Sequence, residues 1–215
     1  MRVRRAFQFF IAIFSGIGFG VGAAAGPASA QNLIVNADFS LADQLTGWIE
    51  NGAWSPVDWE GDLASGSVLN SNSCPFVGCS SLVRQCVPVT EGERYRVEAR
   101  VRIDPGQEPG DVLLRVSWRN ASACYPAAAT VGQSVIPLVA VTSAWELLGN
   151  TFTAPAGAQG ADLQLAVLKD SASGTLAVYF DAIFLPEAEV TFAAPAALTA
   201  LAVIRLLRRR RAAAD

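Results

Sequence analysis

The chain has 215 residues, 52% of them hydrophobic and 16% charged, with four cysteines and no histidine. That length fits one ordinary domain with appendages. Without an imidazole there is no Ser-His-Asp or Cys-His triad, no His-ligated zinc or haem, and no conventional side-chain pH switch. The formal charge of −3 conceals an asymmetry, since Arg2, Arg4, Arg5, Arg205 and Arg208 to Arg211 supply half of the 16 positive charges. Residues 31–190 carry eight positive against eighteen negative side chains, a net of −10. An acidic body of that kind repels a phosphate backbone, so nucleic acid is excluded as the expected partner.

In chain order, Arg2, Arg4 and Arg5 precede an apolar run from Phe7 to Val21, and Ala28-Ser29-Ala30 offers the small residues that a signal peptidase accepts. Residues 1–30 therefore read as a secretory signal peptide cleaved before Gln31. A retained anchor is the competing reading, and Gly16, Gly18, Gly20 and Gly22 weaken the helix that it needs.

From there the pattern is that of strands. Segments 33–35, 46–50 and 81–87 are the first candidates. Segment 94–103 alternates strictly, with Tyr95, Val97, Ala99, Val101 and Ile103 on one face and Arg94, Arg96, Glu98, Arg100 and Arg102 on the other. Val112, Leu114, Val116 and Trp118 repeat the period against Arg115, Ser117 and Arg119. Segment 145–152 follows. Leu163, Leu165 and Val167 then alternate with Asp162 and Gln164, and 175–185 closes the series. Turn signals such as Asp104-Pro105-Gly106, Glu108-Pro109-Gly110 and Pro155-Ala156-Gly157 separate these segments, and no 3.6-residue period appears among them. The expectation is an all-β fold over 31–186, an antiparallel β-sandwich of jelly-roll type, flanked by the N-terminal signal helix and a C-terminal transmembrane helix. In an exported protein the four cysteines are expected to form two disulfides. Three pairings are open, and the favoured one joins Cys74 to Cys79 and Cys86 to Cys124.

The segment 190–204 has no charge and is followed by Arg205-Leu206-Leu207 and four consecutive arginines. With Leu206 and Leu207 included and Arg205 snorkelling, a helix there reaches about 27 Å, close to the hydrocarbon core of about 30 Å. The basic end sets the cytoplasmic side, so residues 187–215 read as a membrane anchor with the sandwich facing outward. This short apolar helix with terminal arginines resembles the PEP-CTERM sorting signals of bacterial envelope proteins, with Pro186-Glu187-Ala188 standing where that family has Pro-Glu-Pro. The resemblance implies an exosortase-like membrane enzyme as a processing partner, and a location in the bacterial cell envelope, anchored by the helix or released after processing.

The middle carries a second resemblance. Asn32-Leu-Ile-Val-Asn-Ala-Asp-Phe39, Gly47-Trp48, Ser81-Leu82, Val87 through Tyr95, Phe152 through Gly157 and Val178-Tyr179-Phe180-Asp181 follow one another in an order similar to that of the CenC-type carbohydrate-binding modules, which are galactose-binding-like jelly rolls. That family often holds a structural calcium and binds glycans on a concave sheet or on loops. Phe39-Ser40 replaces the family's Phe-Glu, and Asp181-Ala182 its paired aspartates. Both departures remove carboxylate oxygens that Ca²⁺ wants, and no metal or cofactor is expected.

Sugars present apolar faces to aromatic rings and hydroxyl edges to planar polar side chains. The candidate ligand-binding residues are therefore Trp54, Trp59 and Tyr125 in turn-rich stretches, Asp58 beside them, and Arg115, Arg119 and Gln164 on polar strand faces. Core packing is the competing reading for each aromatic. The arginines of 94–102 read as a solvated face paired with carboxylates. The leading expectation is a non-catalytic, exported, membrane-tethered jelly roll that binds a cell-surface glycan or exopolysaccharide. The rivals are a structural or adhesive envelope protein with no sugar site, and a carboxylate-dependent glycosidase using Asp58 and Glu60, whose carboxyls would need to stand about 5 to 9.5 Å apart across a cleft.

Overall fold

The computed structural model describes residues 31–126, 128–138 and 143–186, apart from the side chain of Glu50. The expected signal peptide, and the anchor and PEP-CTERM-like segment from residue 187 onward, lie outside the described residues. The strands in chain order are β1 (Ile49–Glu50), β2 (Gly52–Ser55), β3 (Ser67–Asn72), β4 (Ser80–Pro88), β5 (Arg94–Arg102), β6 (Gly110–Arg119), β7 (Thr130–Leu138), β8 (Glu146–Thr153), β9 (Gly160–Lys169) and β10 (Leu176–Phe184). They form two five-stranded sheets, ordered β1-β4-β9-β6-β7 and β2-β3-β10-β5-β8. All pairings between these strands are antiparallel, and no helix occurs among the described residues. The all-β antiparallel sandwich expected from the alternating patterns is thus the observed architecture.

Alternation decides which side of each strand is buried. Tyr95, Val97, Ala99 and Val101 of β5 face Val112, Leu114, Val116 and Trp118 of β6 across the core, and all eight are buried. Each such side chain contributes about 1.5 to 3 kcal/mol by leaving water. The Tyr95 and Trp118 rings, 6.1 Å apart between centroids, join the two sheets directly. Strand β9 differs, because Ala161, Leu163, Leu165 and Val167 fill the core while Asp162, Gln164 and Ala166 on its other face are also buried. It is the central strand of its sheet, covered on both sides.

Some expectations fail at the first strands. Segment 33–35 forms no strand, being held by a single Asn32–Pro186 bridge and a bond from the Leu33 N–H to the Leu185 carbonyl (3.1 Å). Thr46 lies in a turn, donating its N–H to the Asp43 carbonyl at 2.9 Å, so only Ile49–Glu50 pair with β4. Three strands were not anticipated. Strand β7 carries Gly132 and Pro137, residues that argue against a strand but are tolerated at a sheet edge, which is where β7 sits. Strand β2 is also an edge, and at Gly52 it approaches so closely that an added Cβ would lie 2.6 Å from a Val68 methyl.

Strand β3, Ser-Val-Leu-Asn-Ser-Asn, looks like a loop because its polar residues fall at core positions. The structure puts them to use between the sheets. Asn70 Nδ2 donates to the Ser81 and Leu165 carbonyls (3.1 and 2.8 Å), and its Oδ1 accepts from Ser81 Oγ (2.5 Å). Asn72 Nδ2 donates to the Cys79 and Val167 carbonyls (2.8 and 2.9 Å). Two asparagines of one sheet thereby satisfy four carbonyls on the other. Truncating Asn70→Ala leaves two of those carbonyls and the Ser81 hydroxyl without their partner, so a urea titration is expected to show a loss of about 2 kcal/mol or more, with an unchanged slope.

Candidate functional site

The outer face of the β4-β9-β6-β7 sheet is set by register. Side chains directly opposite on neighbouring strands share a face, which gives five rows across it: Pro88, Gly160, Arg119 and Thr130; Cys86, Asp162, Ser117 and Gln133; Arg84, Gln164, Arg115 and Val135; Leu82, Ala166, Leu113 and Pro137; and Ser80, Leu168 and Asp111. The second and third rows are mostly polar and the fourth is apolar.

The polar rows form one hydrogen-bonded chain. Arg115 Nε donates to Gln164 Oε1 (2.7 Å), and Gln164 Nε2 donates to Asp162 Oδ2 (2.7 Å) and to Ser117 Oγ (3.3 Å). Arg119 donates to Asp162 Oδ2 at 2.9 Å and to Thr130 Oγ1 at 2.7 Å. The Tyr125 hydroxyl donates to Asp162 Oδ1, and Arg84 lies 3.9 Å from the same carboxylate. Asp162 is 0% exposed, so its charge depends entirely on these donors. Burial and the neighbouring Asp162 carboxylate hold the Tyr125 hydroxyl well above its ordinary pKa, which keeps it a donor.

Tyr125 reaches the face from the segment joining β6 to β7. Cys86, on the outer side of β4, is bonded to Cys124, which pins that segment to the sheet next to Asp162. The Arg84 guanidinium lies 4.0 Å from the Tyr125 ring centroid, so one side of the ring is already stacked. The second disulfide joins Cys74 to Cys79, and both bonds are those favoured from the sequence.

Of the candidate residues, then, Tyr125, Arg115, Arg119 and Gln164 come together on this face. Trp54, Trp59 and Asp58 do not. Trp54 is half-buried against the core and donates its indole N–H to the Phe39 carbonyl (2.9 Å), and an added Cβ at Gly66 would lie 3.0 Å from its ring. It anchors a loop. Trp59 lies beneath the Arg100 guanidinium (4.3 Å) on the β2-β3-β10-β5-β8 sheet. On that sheet Arg96 pairs with Glu98 and Arg102 with Asp104, each at 2.7 Å. Arg84, Asp162, Ser117, Leu82 and Leu113 were missed as members of the polar face and its border. Aligning the polar positions of β4, β6 and β9 would have found them, but only with the strand order known.

Asp58 belongs to a separate carboxyl pair with Asp181. Asp58 accepts from the Asp62 N–H (2.7 Å) and Ser65 Oγ (2.6 Å), and Asp181 accepts from the N–H groups of Trp59 (3.0 Å) and Ala182 (2.6 Å). Donor hydrogens thus point at the oxygens a cation would use, and no group of three His, Cys, Asp or Glu side chains gathers among the described residues. These residues do not fit a divalent ion. Burial works to raise the Asp58 pKa, but the bonds from Ser65 and from the 60–62 N–H groups outweigh it and hold the carboxyl below its ordinary value. Burial pushes Asp181 up to about 7, against the Trp59 and Ala182 N–H groups and with the help of the Asp58 charge and hydrogen bond.

No protein-family model matches the chain, and no curated protein matches it. Solved structures do share its fold. The enzymatically active domain of tailspike protein 4 from bacteriophage CBA120 is 12% identical with a TM-score of 0.55, over 73% of this chain and 21% of that one. A carbohydrate-binding module of the β-sandwich superfamily, described for its promiscuous specificity, is 13% identical with a TM-score of 0.51, over 76% and 64% of the two chains. An arabinose-bound α-L-arabinofuranosidase is 15% identical with a TM-score of 0.50, over 72% and 26%. This chain therefore spans only about a quarter or less of the tailspike domain and the arabinofuranosidase. What the three likenesses establish is a common fold, an antiparallel β-sandwich.

The Asp58–Asp181 pair gives a pH dependence of defined sign. An unfolded aspartate ionises near pH 4, whereas Asp181 in the folded protein holds its proton to about 7. Between these values the folded state binds the extra proton, so the stability that Asp181 contributes is full at or below about pH 4 and is lost as pH rises toward 7. Denaturation midpoints measured from pH 4 to 8 are expected to show this decline, and Asp181→Asn is expected to flatten it, although Arg100 still faces the site from β5.

Proposed function

We propose that the protein is a non-catalytic sugar-binding module of the bacterial cell envelope, holding a surface glycan or exopolysaccharide on the outer face of the β4-β9-β6-β7 sheet. The observation that carries this reading is the Arg115–Gln164 hydrogen bond, in one row with Arg84, lying directly beside the half-buried Leu82 and Leu113 of the next row. A pyranose ring has C–H faces and hydroxyl edges, and adjacent apolar and planar polar rows complement both. The apolar contact comes from aliphatic side chains, because Trp48 and Trp118 are core residues and Trp54, Trp59 and Trp145 belong to a loop or to the other sheet.

A glycosidase is the weaker reading. Glycoside hydrolysis needs two carboxyls flanking a sugar bond. The acids of this face are Asp162, which is buried beneath its donors, and Asp111, three rows away and about 20 Å along the strands, too far to flank the same bond. Asp58 has its oxygens committed to its own loop.

Affinity electrophoresis of the full chain in mild detergent, over a panel of polysaccharides, tests the proposal. At least one polymer is expected to retard it. Leu113→Glu is expected to weaken that retardation at least tenfold, while Trp59→Ala on the other sheet leaves it unchanged. If no polymer retards the protein, the structural or adhesive reading replaces this one.

Export and tethering complete the proposal, with the signal cleaved before Gln31 and the segment from residue 187 serving as anchor or sorting signal. N-terminal sequencing of the protein from a bacterial host is expected to begin at Gln31. A chain ending at Pro186 is expected to leave the membrane fraction, and continued sedimentation with membranes would reject the anchor.

A further inference from the structure

The outer face of the β2-β3-β10-β5-β8 sheet carries two rings that lie outside the core. On β10, Val178 and Phe180 point inward and are buried, while Tyr179 between them points outward and is half-buried. Register puts Arg102, Tyr179, Leu69 and Ala53 in one row across four strands, and continuing the pairing of β5 with β8 by one residue puts the half-buried Trp145 at the head of that row. The Trp145 and Tyr179 rings meet edge to face with centroids 6.5 Å apart, and the Arg102 guanidinium lies 5.8 Å from the Tyr179 centroid. Leu147, two residues further along β8 and 49% exposed, extends the apolar strip. The 56–66 loop comes down on the neighbouring row, where Trp59 meets Arg100 and Asp181, about 7 Å from the row of Tyr179.

The polar ends of these rings set them apart. A Trp or Tyr that serves packing gives its N–H or O–H a partner inside the protein. Trp48, Trp54 and Trp118 donate to Asn36, Phe39 and Ser134, and the Tyr95 hydroxyl accepts from the Thr90 N–H. The Trp145 indole N–H and the Tyr179 hydroxyl have no such partner among the described residues, and neither is a buried orphan, so both face water. Beside them, Arg102 gives Nε and Nη2 to Asp104 Oδ1 (2.9 and 2.7 Å), on side chains 31% and 34% exposed. That leaves Arg102 Nη1 and Asp104 Oδ2 without a bond among the described residues, a donor and an acceptor held side by side on a pair whose charges cancel. A hydroxyl both donates and accepts, so two hydroxyls on adjacent ring carbons meet such a pair with one bond in each direction, whereas an anionic group would meet Asp104 as a like charge. The C–H face of the same ring complements the aromatic strip.

We propose that this row is a second glycan site, on the sheet opposite the first, which takes an uncharged sugar with its apolar face on Trp145 and Tyr179 and adjacent hydroxyls on Arg102 and Asp104. It goes beyond the reading above, which concerns the other face, and does not depend on it. The two outer faces point away from each other, so one stretch of polymer cannot lie on both. With both occupied the protein joins two stretches, and its hold on a polymer exceeds that of either face alone.

Affinity electrophoresis of the full chain in mild detergent over hydroxyethylcellulose, galactomannan, arabinoxylan and β-glucan tests the proposal. At least one polymer is expected to retard the chain. Trp145→Ala is expected to weaken that retardation about tenfold and Trp145→Phe to keep most of it. Asp104→Ala, in the turn after β5, is expected to weaken it with both rings left in place. Leu113→Glu, which spoils the first face, is expected to leave a residual retardation that Trp145→Ala then removes. Unchanged thermal midpoints separate loss of binding from loss of fold, and Asp104→Ala carries the test if Trp145→Ala lowers its midpoint. If Trp145→Ala and Asp104→Ala, alone and combined with Leu113→Glu, match their parent chains on every polymer that retards the wild type, the second site is overturned and the first-face reading stands. Complete loss of retardation in Leu113→Glu alone has the same meaning. If instead Leu113→Glu changes nothing while Trp145→Ala abolishes retardation, the second site stands and the first-face reading falls. Failure of every polymer to retard the wild type overturns the second site.

Discussion

A strand buried on both faces must satisfy internally every polar group it carries, and β9 carries Asp162 and Gln164 at the centre of its sheet. Leaving a charge in such a position without partners costs several kcal/mol, so the neighbouring strands are constrained to supply donors. Arg119 from β6 provides a charged one, Gln164 an amide, and Tyr125 a hydroxyl. Because Tyr125 sits between β6 and β7, satisfying Asp162 also fixes where that segment crosses the sheet. The Cys86–Cys124 bond, spanning 38 positions, holds the segment there and restricts the unfolded chain as well, an effect worth about 3 to 4 kcal/mol in chain-entropy terms. The polar geometry of the outer face thus follows from one buried carboxylate.

Two consequences follow for Tyr125. Its sequence context, a turn-rich stretch, suggests a ring offered to a ligand. In the fold the ring is sandwiched by position: its hydroxyl is used by Asp162 and one side is covered by Arg84. The tyrosine orders the arginine, and Arg84 rather than the ring is presented along the Gln164 and Arg115 row. A loop aromatic has become part of the support for a cationic surface.

The legible part of the sequence was the alternation. Strands β4, β5, β6, β9 and β10 announce themselves by apolar residues at every second position, since half-burial of a pleated surface imposes that period. Strand β3 was hidden because Asn70 and Asn72 occupy core positions, and only the facing carbonyls of Ser81, Leu165, Cys79 and Val167 explain why asparagine belongs there. Edge strands β2 and β7 were hidden because an edge tolerates Gly52, Gly132 and Pro137. For the site, Arg115, Arg119 and Gln164 could be read as outward polar residues from period alone. That they meet Asp162, and that Trp54 and Trp59 lie elsewhere, depends on the strand order 4-9-6, in which residues some 80 positions apart become neighbours. Local pattern gives the face a residue is on, but not which strands lie beside it.

The two buried aspartates show how the same residue type yields opposite electrostatics. Asp162 is surrounded by guanidinium, amide and phenol donors, and its charge is the centre that Arg119 answers. Asp181 is placed against a second carboxyl, Asp58, and burial pushes it up to about 7 while its oxygens take the N–H groups of Trp59 and Ala182. One carboxylate organises cations on its sheet. The other gathers a loop onto the opposite sheet by backbone hydrogen bonds and a shared acid hydrogen.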